Sequence, residues 1–172
     1  AGITVEALQE SLKTAKIVRA NPNICAMAGK SVTALAFGKN VSEVEKNAVK
    51  QIFAAIGEVI ECEEKYFNAI TGVSGSGPAY YYYFTQELAR AGEENGLPQE
   101  LSEKLARLTL SGAGALASES NKSMQELIDL IATPGGTTQA GLVELKKTLP
   151  EALKETVKAA NKKSEELGNA VR

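Results

Sequence analysis

Residues 31–61 read SVTALAFGKNVSEVEKNAVKQIFAAIGEVIE, and this stretch decides the fold class of the first part of the chain. It begins with Ser31–Phe37, an apolar run of the composition that strands favour, and it ends with a second short strand, Glu58–Glu61. The residues between them have helical spacing. A strand, a helix and a strand in this order predict the end of an α/β sheet.

The predicted helix between these strands has a defined start and end. Ser42 and Glu45 form a capping box, in which each side chain accepts a hydrogen bond from the other residue's backbone amide. Gly57 is expected to end the helix. One apolar face is predicted, formed by Val44, Ala48, Ile52 and Ile56.

The preceding residues continue the alternation of helix and strand. Thr4 can cap a helix over Val5–Leu12, and Lys16–Ala20 is a short apolar strand that ends at the turn residues 21–23. The first residue is not methionine, and the first residues are typical of the end of a strand followed by the start of a helix. We therefore expect residues 1–62 to be the last part of an α/β domain whose earlier β/α units are missing.

Beyond this point the strand patterns stop, and we expect residues 63–172 to form an all-helical domain. Pro78 suits the first turn of a helix that runs to Asn95 and is ended by Gly96-Leu97-Pro98. A second long helix follows, and its small residues Ser111–Ala115 would let another backbone approach closely. Its spacing predicts one buried stripe, formed by Leu101, Leu105, Leu108, Gly112, Ala115 and Leu116.

Three further helices are predicted towards the C-terminus. Ser123 and Glu126 form a second capping box, which opens a short helix. Its inward residues are Leu127, Ile128 and Ile131. A helix over Gln139–Lys147 follows, and the last helix runs from Pro150 to Leu167. The last helix has heptad-like spacing at Leu153, Val157, Ala160, Ser164 and Leu167.

Composition argues against several classes of protein. The chain has 172 residues, of which 44% are hydrophobic, and this is enough for a folded core. Its 19 basic and 21 acidic residues give a net charge of −2 without a charged block, which argues against binding of nucleic acid or anionic lipid. We see neither a membrane span nor a secretion signal in the sequence, and we expect a cytoplasmic protein.

The cysteines and the lack of histidine limit the available chemistry. Cys25 and Cys62 lie far apart and outside any Cys-x-x-Cys pattern, so we expect buried free thiols rather than a disulfide or a metal site. Histidine, the commonest general base and metal ligand, is absent. Any reaction must proceed without it.

The loop Thr133-Pro134-Gly135-Gly136-Thr137-Thr138 is the first candidate site. Two adjacent glycines allow unusual backbone angles, and two threonines stand at the start of a helix, whose free amides and dipole favour an anion. Such a loop can bind a carboxylate or a phosphate. The alternative is a proline-glycine turn in which a threonine only caps the helix.

A second candidate is Ser74–Tyr80, with the sequence SGSGPAY, which leads into the helix of Pro78. A phosphate cradle there would lack the spacing and the lysine of a P-loop. The alternative is a turn whose glycines let the helix pack closely on its neighbours. The aromatic block Tyr80–Phe84 faces several directions on a helix, so one side can fill a core and another a subunit contact.

Taken together, these motifs resemble the signature of the pyrroline-5-carboxylate reductase family. Residues 73–80, 96–98, 133–138 and 140–142 carry the resemblance, which extends over residues 1–167. It implies the end of a dinucleotide-binding domain followed by an all-helical domain that interlocks with a partner, giving a homodimer or a larger ring of dimers. The implied activity, in proline biosynthesis, is reduction of the cyclic imine 1-pyrroline-5-carboxylate to L-proline by NADH or NADPH.

The resemblance also implies roles for the residues of the loop. The family loop that matches Thr133, Pro134, Gly135, Gly136, Thr137 and Thr138 wraps the ring and the carboxylate of the substrate. The amides of Thr137 and Thr138 would hold the carboxylate through charge-assisted hydrogen bonds. The Thr138 hydroxyl would lie nearest the ring nitrogen, which makes Thr138 the candidate catalytic residue.

The cofactor is expected to bind mainly outside this chain. The G-x-G-x-x-G turn that cradles a pyrophosphate is absent from the sequence. Asn21, Pro22 and Asn23 match a family turn, but Asn21 stands where the family usually has methionine, so a cofactor contact and a plain loop are both open. No metal is expected. A competing hypothesis is a catalytically silent helical oligomerisation module.

Overall fold

The computed structural model describes residues 3–14 and 16–169, and within them the chain forms a three-stranded sheet and seven α-helices. The strands are β1 Val18–Asn21, β2 Ser31–Phe37 and β3 Gly57–Glu61. The helices are α1 Val5–Leu12, α2 Glu43–Ala54, α3 Phe67–Ile70, α4 Gly77–Glu94, α5 Gln99–Glu119, α6 Met124–Asp129 and α7 Thr137–Asn169. The predicted fold class is confirmed: the chain is mostly helical, with β/α elements ahead of the helices. The predicted strand end at the very start of the chain involves residues 1 and 2, which lie outside the described residues.

The sheet has the order β1-β2-β3, with β1 antiparallel and β3 parallel to the central strand. A parallel pair needs a crossover connection, and α2 provides it between β2 and β3. Strand β2 is largely buried because it has a neighbour on each side. Strand β1 starts two residues later than predicted and includes Asn21, which was expected in the turn.

Gly57 starts β3 instead of merely ending the helix before it. Its φ is +147°, and a Cβ at this position would collide with the backbone of Ser31 in the neighbouring strand. Because Ser31 and Gly57 are partners in the parallel register, the two strands can approach at this point only if residue 57 is glycine.

Helix α2 begins as predicted, but a different face of it is buried. Ser42 and Glu45 form the capping box. The helix ends at Ala54, so Ile56 lies beyond it, and the predicted apolar face at Val44, Ala48 and Ile52 is exposed. Val49 and Phe53 are half-buried instead. The prediction of the inward face was wrong because helical spacing gives the faces of a helix but not the one that meets the sheet.

The described residues pack into two compact units. The first contains residues up to Pro78 together with those from Leu153, and the second is Ala79–Ala152. The buried core residues of the first unit include Ile17, Ala34, Leu35, Ala36, Val41 and Phe67. The predicted domain boundary between residues 62 and 63 stays a prediction.

The second unit buries very little of its own surface. All of its residues are described, and of these only Ala89, Ser102 and Ala106 are buried. The Ser102 hydroxyl donates to the Ala89 carbonyl oxygen at 2.6 Å, which joins α4 to α5. The two helices therefore meet through small residues.

The leucine stripe predicted to be buried on α5 is exposed in the chain. Leu105 is 47% and Leu108 is 59% exposed, and Leu101 and Leu116 are exposed as well. The prediction was wrong for the single chain because the buried residues of α5 are Ser102 and Ala106, on an adjacent part of the helix, and Ser102 bonds to α4 there.

Helix α6 opens with the predicted capping box of Ser123 and Glu126. Leu127 and Ile128 are half-buried as expected, whereas Ile131 lies beyond the helix and is exposed. The inward assignment of Ile131 was therefore wrong, because the helix ends at Asp129 before the third position is reached.

Helix α7 is a single helix of 33 residues with Pro150 inside it, where two helices were predicted. A proline removes one amide hydrogen bond but its φ suits a helix, so favourable residues on both sides can carry the helix through it. The part of α7 from Leu153 onward belongs to the first unit and packs inside it. A Cβ on Gly72 would meet the Val157 carbonyl oxygen at 3.1 Å. The buried Ser164 hydroxyl donates to Asn68 Oδ1 at 2.9 Å.

Cys25 and Cys62 are free and half-buried. Burial raises the pKa of the Cys62 thiol, and the neighbouring Glu61 carboxylate raises it further. In the described part of the chain, no helix has the length and apolar character that a bilayer crossing requires.

Candidate functional site

The loop before α7 is a tight turn with a proline and a glycine at its two central positions. The Gly136 amide donates to the Thr133 carbonyl oxygen at 2.9 Å, which closes a four-residue turn. Pro134 occupies the first central position, and Gly135 occupies the second with a φ of +72°. This combination is a type II turn, which needs a positive φ at its second central residue.

Gly136 joins the turn to the helix and has no room for a side chain. A Cβ here would lie 2.5 Å from Thr133 Oγ1 and 3.0 Å from the Thr133 carbonyl oxygen. The Gly136 carbonyl oxygen accepts the first helical bond, from the Ala140 amide at 3.2 Å. Gly136 is therefore the N-cap of α7.

The start of α7 presents three backbone amides without a helical partner. An α-helix leaves the N–H groups of its first residues without an intrahelical carbonyl, and here these belong to Thr137, Thr138 and Gln139. They point out of the positive end of a long helix dipole, which favours a negatively charged group. Within the described residues, no hydrogen bond is formed by the half-buried Thr138 hydroxyl. The geometry can hold a carboxylate and places one hydroxyl beside it.

Gln139 belongs to this site and was missed from the sequence. Its Oε1 accepts a hydrogen bond from the Gly135 amide at 2.7 Å, and this bond holds the turn over the first turn of α7. A glutamine at the third helical position often reaches back to the backbone near the N-cap, as in a capping box. Its spacing from Gly136 was the signal that could have identified it.

The structure brings together two motifs that are far apart in sequence, residues 21–23 and the turn before α4. Asn21 Nδ2 donates to Thr71 Oγ1 at 3.1 Å. Asn23 Nδ2 donates to the carbonyl oxygen and the hydroxyl of Ser74, at 3.2 and 3.3 Å. Both asparagine side chains are thus used in internal contacts, whereas Pro22 is exposed.

The turn that receives these bonds is a π-helical turn, Thr71–Gly75, which precedes α4. The predicted motif Ser74–Tyr80 overlaps this turn, and the expectation that its two glycines, Gly75 and Gly77, permit close packing was wrong for both. A Cβ on Gly77 would meet no atom within 4 Å, and one on Gly75 would make only ordinary contact with Thr71. Gly72 is the glycine that another backbone approaches.

The aromatic block at the start of α4 is mostly uncovered in the single chain. Tyr80 is half-buried, and the other four are exposed: Tyr81, Tyr82, Tyr83 and Phe84. The expectation that one side of the block fills a core is therefore met only in part. The remainder is available as a contact surface.

Arg19, at the start of β1, belongs to a mostly buried network in the first unit. Its Nη1 lies 2.9 Å from Glu64 Oε1, and its guanidinium lies 4.5 Å from the centre of the Phe67 ring. Glu64 Oε1 also accepts from the Val5 amide at 2.7 Å. This network joins β1 and α1 to the segment that leads into α3.

The described residues offer no turn suited to a dinucleotide pyrophosphate. Gly112-Ala113-Gly114-Ala115-Leu116-Ala117 approximates the glycine pattern of such a turn, but it lies inside α5. The pattern works between a strand and a helix, where its amides are free, whereas amides inside a helix are already bonded.

Comparison with known families and proteins agrees with these features. Residues 64–167 match the family described as pyrroline-5-carboxylate reductase dimerisation. Pyrroline-5-carboxylate reductase 1 of Bacillus subtilis (strain 168) is 39% identical over 99% of this chain and 58% of its own length. The pyrroline-5-carboxylate reductase of Glycine max is 40% identical over 97% of this chain and 61% of its own length. The chain thus spans about three fifths of the length of these relatives.

Solved structures show the same relationship. A pyrroline-5-carboxylate reductase from Coxiella burnetii superimposes with a TM-score of 0.93 at 33% identity, covering 97% of this chain and 63% of the other. The Plasmodium falciparum pyrroline carboxylate reductase with NADP bound gives a TM-score of 0.86 at 36% identity, covering 97% of this chain and 68% of the other.

Proposed function

Since this chain belongs to the pyrroline-5-carboxylate reductase family, we propose that it is the substrate-side and subunit-contact part of an enzyme that reduces 1-pyrroline-5-carboxylate to L-proline. The reductant is NADH or NADPH. The relatives are longer than this chain, and we propose that the dinucleotide binds mainly to a domain that this chain does not contain.

The observation that carries the proposal is the turn and helix start at residues 133–138. It combines a rigid type II turn, three free amides and the positive end of α7 in one place. A substrate carboxylate placed there would accept charge-assisted hydrogen bonds from Thr137 and Thr138. Gln139 would keep the turn in position while the substrate binds.

The proposed reaction needs little acid–base chemistry from the chain, which contains no histidine. The imine takes up a proton from solution, so its carbon is already electrophilic. The reduced nicotinamide supplies the hydride for this carbon when it is bound. The work of the chain is to hold the ring by its carboxylate and to exclude water. Thr138 would accept a hydrogen bond from the ring N–H and thereby orient the ring.

We propose a homodimer, or a larger ring of dimers, as the functional form. The support comes from the family match and from the second unit, which leaves its leucine stripe and aromatic block exposed. Surfaces of this kind commonly mark subunit contacts.

The assay of choice uses the full-length protein with 1-pyrroline-5-carboxylate and each reduced dinucleotide. We expect loss of absorbance of the reduced dinucleotide that depends on the imine. The control contains the same protein without the imine. Turnover with another imine or with a keto acid, and none with this substrate, would assign the protein to a different reaction.

A second candidate function is a catalytically silent oligomerisation module, favoured by the exposed stripe of α5. Titration calorimetry of the 172-residue chain with proline separates the two functions. Measurable binding supports a substrate half-site, whereas no binding by a chain that is dimeric in light scattering supports the silent module.

A further inference from the structure

Asn23 is bonded through every polar atom of its side chain. Its Oδ1 accepts from the amides of Cys25 and Val32, at 3.2 and 3.3 Å. Its Nδ2 donates to the carbonyl oxygen and the hydroxyl of Ser74. The oxygen therefore stabilises the local structure at the end of β1, and the nitrogen donates hydrogen bonds to a turn that lies 51 residues further along the chain.

A parallel bond runs from the preceding asparagine. Asn21 Nδ2 donates to Thr71 Oγ1, and the Thr71 hydroxyl donates to the Phe67 carbonyl oxygen at 2.8 Å. The two asparagines therefore hold both ends of the π-helical turn, Thr71–Gly75, against the carboxyl end of β1. Such turns are rare and are frequent at functional sites.

The carboxyl end of β1 is the side on which a dinucleotide is expected. Helix α1 leads into β1, as the crossover helix of a βαβ unit does, whereas β2 runs in the opposite direction. This order places β1 among the parallel strands of the dinucleotide-binding domain. Ligands of open α/β sheets bind beyond the carboxyl ends of these strands. The π-helical turn presents Val73, 63% exposed, and exposed Gly75 at this end.

We propose that Asn23 is a positioning residue for the cofactor: through Ser74 it fixes the π-helical turn at residues 71–75, and the exposed face of this turn borders the bound dinucleotide. This inference rests on the proposed function. It argues against direct contact of the cofactor with the Asn23 side chain, because both polar atoms of that side chain are already used inside the protein.

Asn23→Asp separates the positioning role from a merely structural one. An aspartate keeps an oxygen for the amides of Cys25 and Val32, and it caps the short 3-10 helix Ile24–Ala28, whose N-cap is Asn23, as well as asparagine does. It loses both donors to Ser74 and sets a negative oxygen against the Ser74 carbonyl group. The variant therefore keeps the hydrogen bonds at the end of β1 and loses those to the π-helical turn.

The experiment uses the full-length protein and compares dinucleotide Kd, proline Kd and thermal midpoint for the parent and three variants. We expect Asn23→Asp to raise the Kd for NADPH or NADH about tenfold and to leave the proline Kd unchanged, while the loss of the bonds to Ser74 lowers the thermal midpoint. Ser74→Ala, which removes only one acceptor, should raise the same constant about threefold. Asn40→Asp makes the same change of charge at an exposed position outside the network and should match the parent.

Parent-like dinucleotide Kd in Asn23→Asp overturns the positioning role. An equal rise of the dinucleotide Kd and the proline Kd also overturns it, because that result would show general loosening of the protein. If Asn23→Asp does not fold, Ser74→Ala decides, and a parent-like Kd in that variant overturns the role. If the parent binds dinucleotide but does not reduce the imine, only the proposed function is refuted. The comparison of dinucleotide Kd values still tests the positioning role of Asn23.

Discussion

At the scale of single residues, the candidate site depends on two positions that require glycine. Gly136 has no space for a Cβ beside Thr133, and Gly135 needs the positive φ of the type II turn. The two glycines therefore fix where the amides of Thr137 and Thr138 point. The Thr138 hydroxyl is half-buried beside these amides and has no partner among the described residues, and the exposed Thr137 hydroxyl has none there either.

Thr138→Ala in the full-length protein should weaken substrate binding or turnover by about 1–3 kcal/mol, the cost of leaving a buried polar partner without its hydrogen bond. The measurement is kcat and KM for the imine. Thr138→Ser keeps the hydroxyl and should lose much less. Unchanged kinetic constants in the alanine variant would remove Thr138 from the site.

Gly92→Ala should lower the stability of the second unit by about 1–3 kcal/mol. A Cβ on Gly92 would collide with Ser102 Oγ, which is buried and donates to Ala89 at 2.6 Å, so this hydrogen bond between α4 and α5 would have to move. Urea unfolding gives the change in free energy.

Gly141→Ala is the matched control for this substitution. Gly141 lies inside α7 with no atom within 4 Å of a Cβ position, so alanine should stabilise the chain by about 0.5–1 kcal/mol. Equal effects of the two substitutions would show that the predicted collision at Gly92 does not occur.

At the scale of elements, the capping boxes place the helix starts. In α2 the Ser42 amide donates to Glu45 Oε2 at 2.8 Å, and in α6 the Ser123 amide donates to Glu126 Oε2 at 2.7 Å. A hydrogen bond from the Ser123 backbone, and then one from its hydroxyl, lower the pKa of Glu126. Both helices thus begin at a residue that the sequence specifies.

The Glu45 carboxyl group should titrate far below its ordinary range. A hydrogen bond from Lys16, followed by those from the backbone and hydroxyl of Ser42, lowers its pKa from 4.5 to about 2. The folded state favours the ionised form, so this contribution to stability is fully present above pH 4.5 and is lost as pH falls through about 2.

Carboxyl chemical shifts in an NMR titration measure this pKa directly. Ser42→Ala removes the hydroxyl partner and should move the midpoint upward, towards 4.5. A midpoint of 4.5 in the parent would contradict the capping geometry.

At the scale of the whole molecule, the second unit has too little core of its own. Within Ala79–Ala152 two alanines and a serine are buried, while leucines of α5 and tyrosines of α4 are exposed. A helical unit gains most of its stability by burying an apolar face, so this surface is expected to pack against a second copy.

Leu105→Glu should convert the proposed dimer into monomers, because association would bury an unpaired carboxylate. Light scattering or sedimentation gives the mass. Glu103→Lys changes a residue on the side of α5 away from the stripe, and this variant should stay dimeric. A dimeric Leu105→Glu variant would place the subunit contact elsewhere.

Features that depend only on neighbouring residues could be predicted from the sequence. These include the strand Ser31–Phe37, both capping boxes, the start of α4 near Pro78 and the proline-glycine turn at 133–136. Each of them is set by backbone propensity and by hydrogen bonds within about four residues, which can be identified by counting along the chain.

The surfaces that are covered in the folded chain could not be predicted from the sequence. The sequence placed Leu105 on an apolar stripe but could not show that Ser102 and Ala106 would be the buried residues of α5 or that Ser102 would bond to α4. It also gave no sign that Asn23 would reach Ser74 or that α7 would continue through Pro150. Burial and long-range hydrogen bonds depend on which distant segment packs against a residue. The residues next to it in the sequence do not specify that segment.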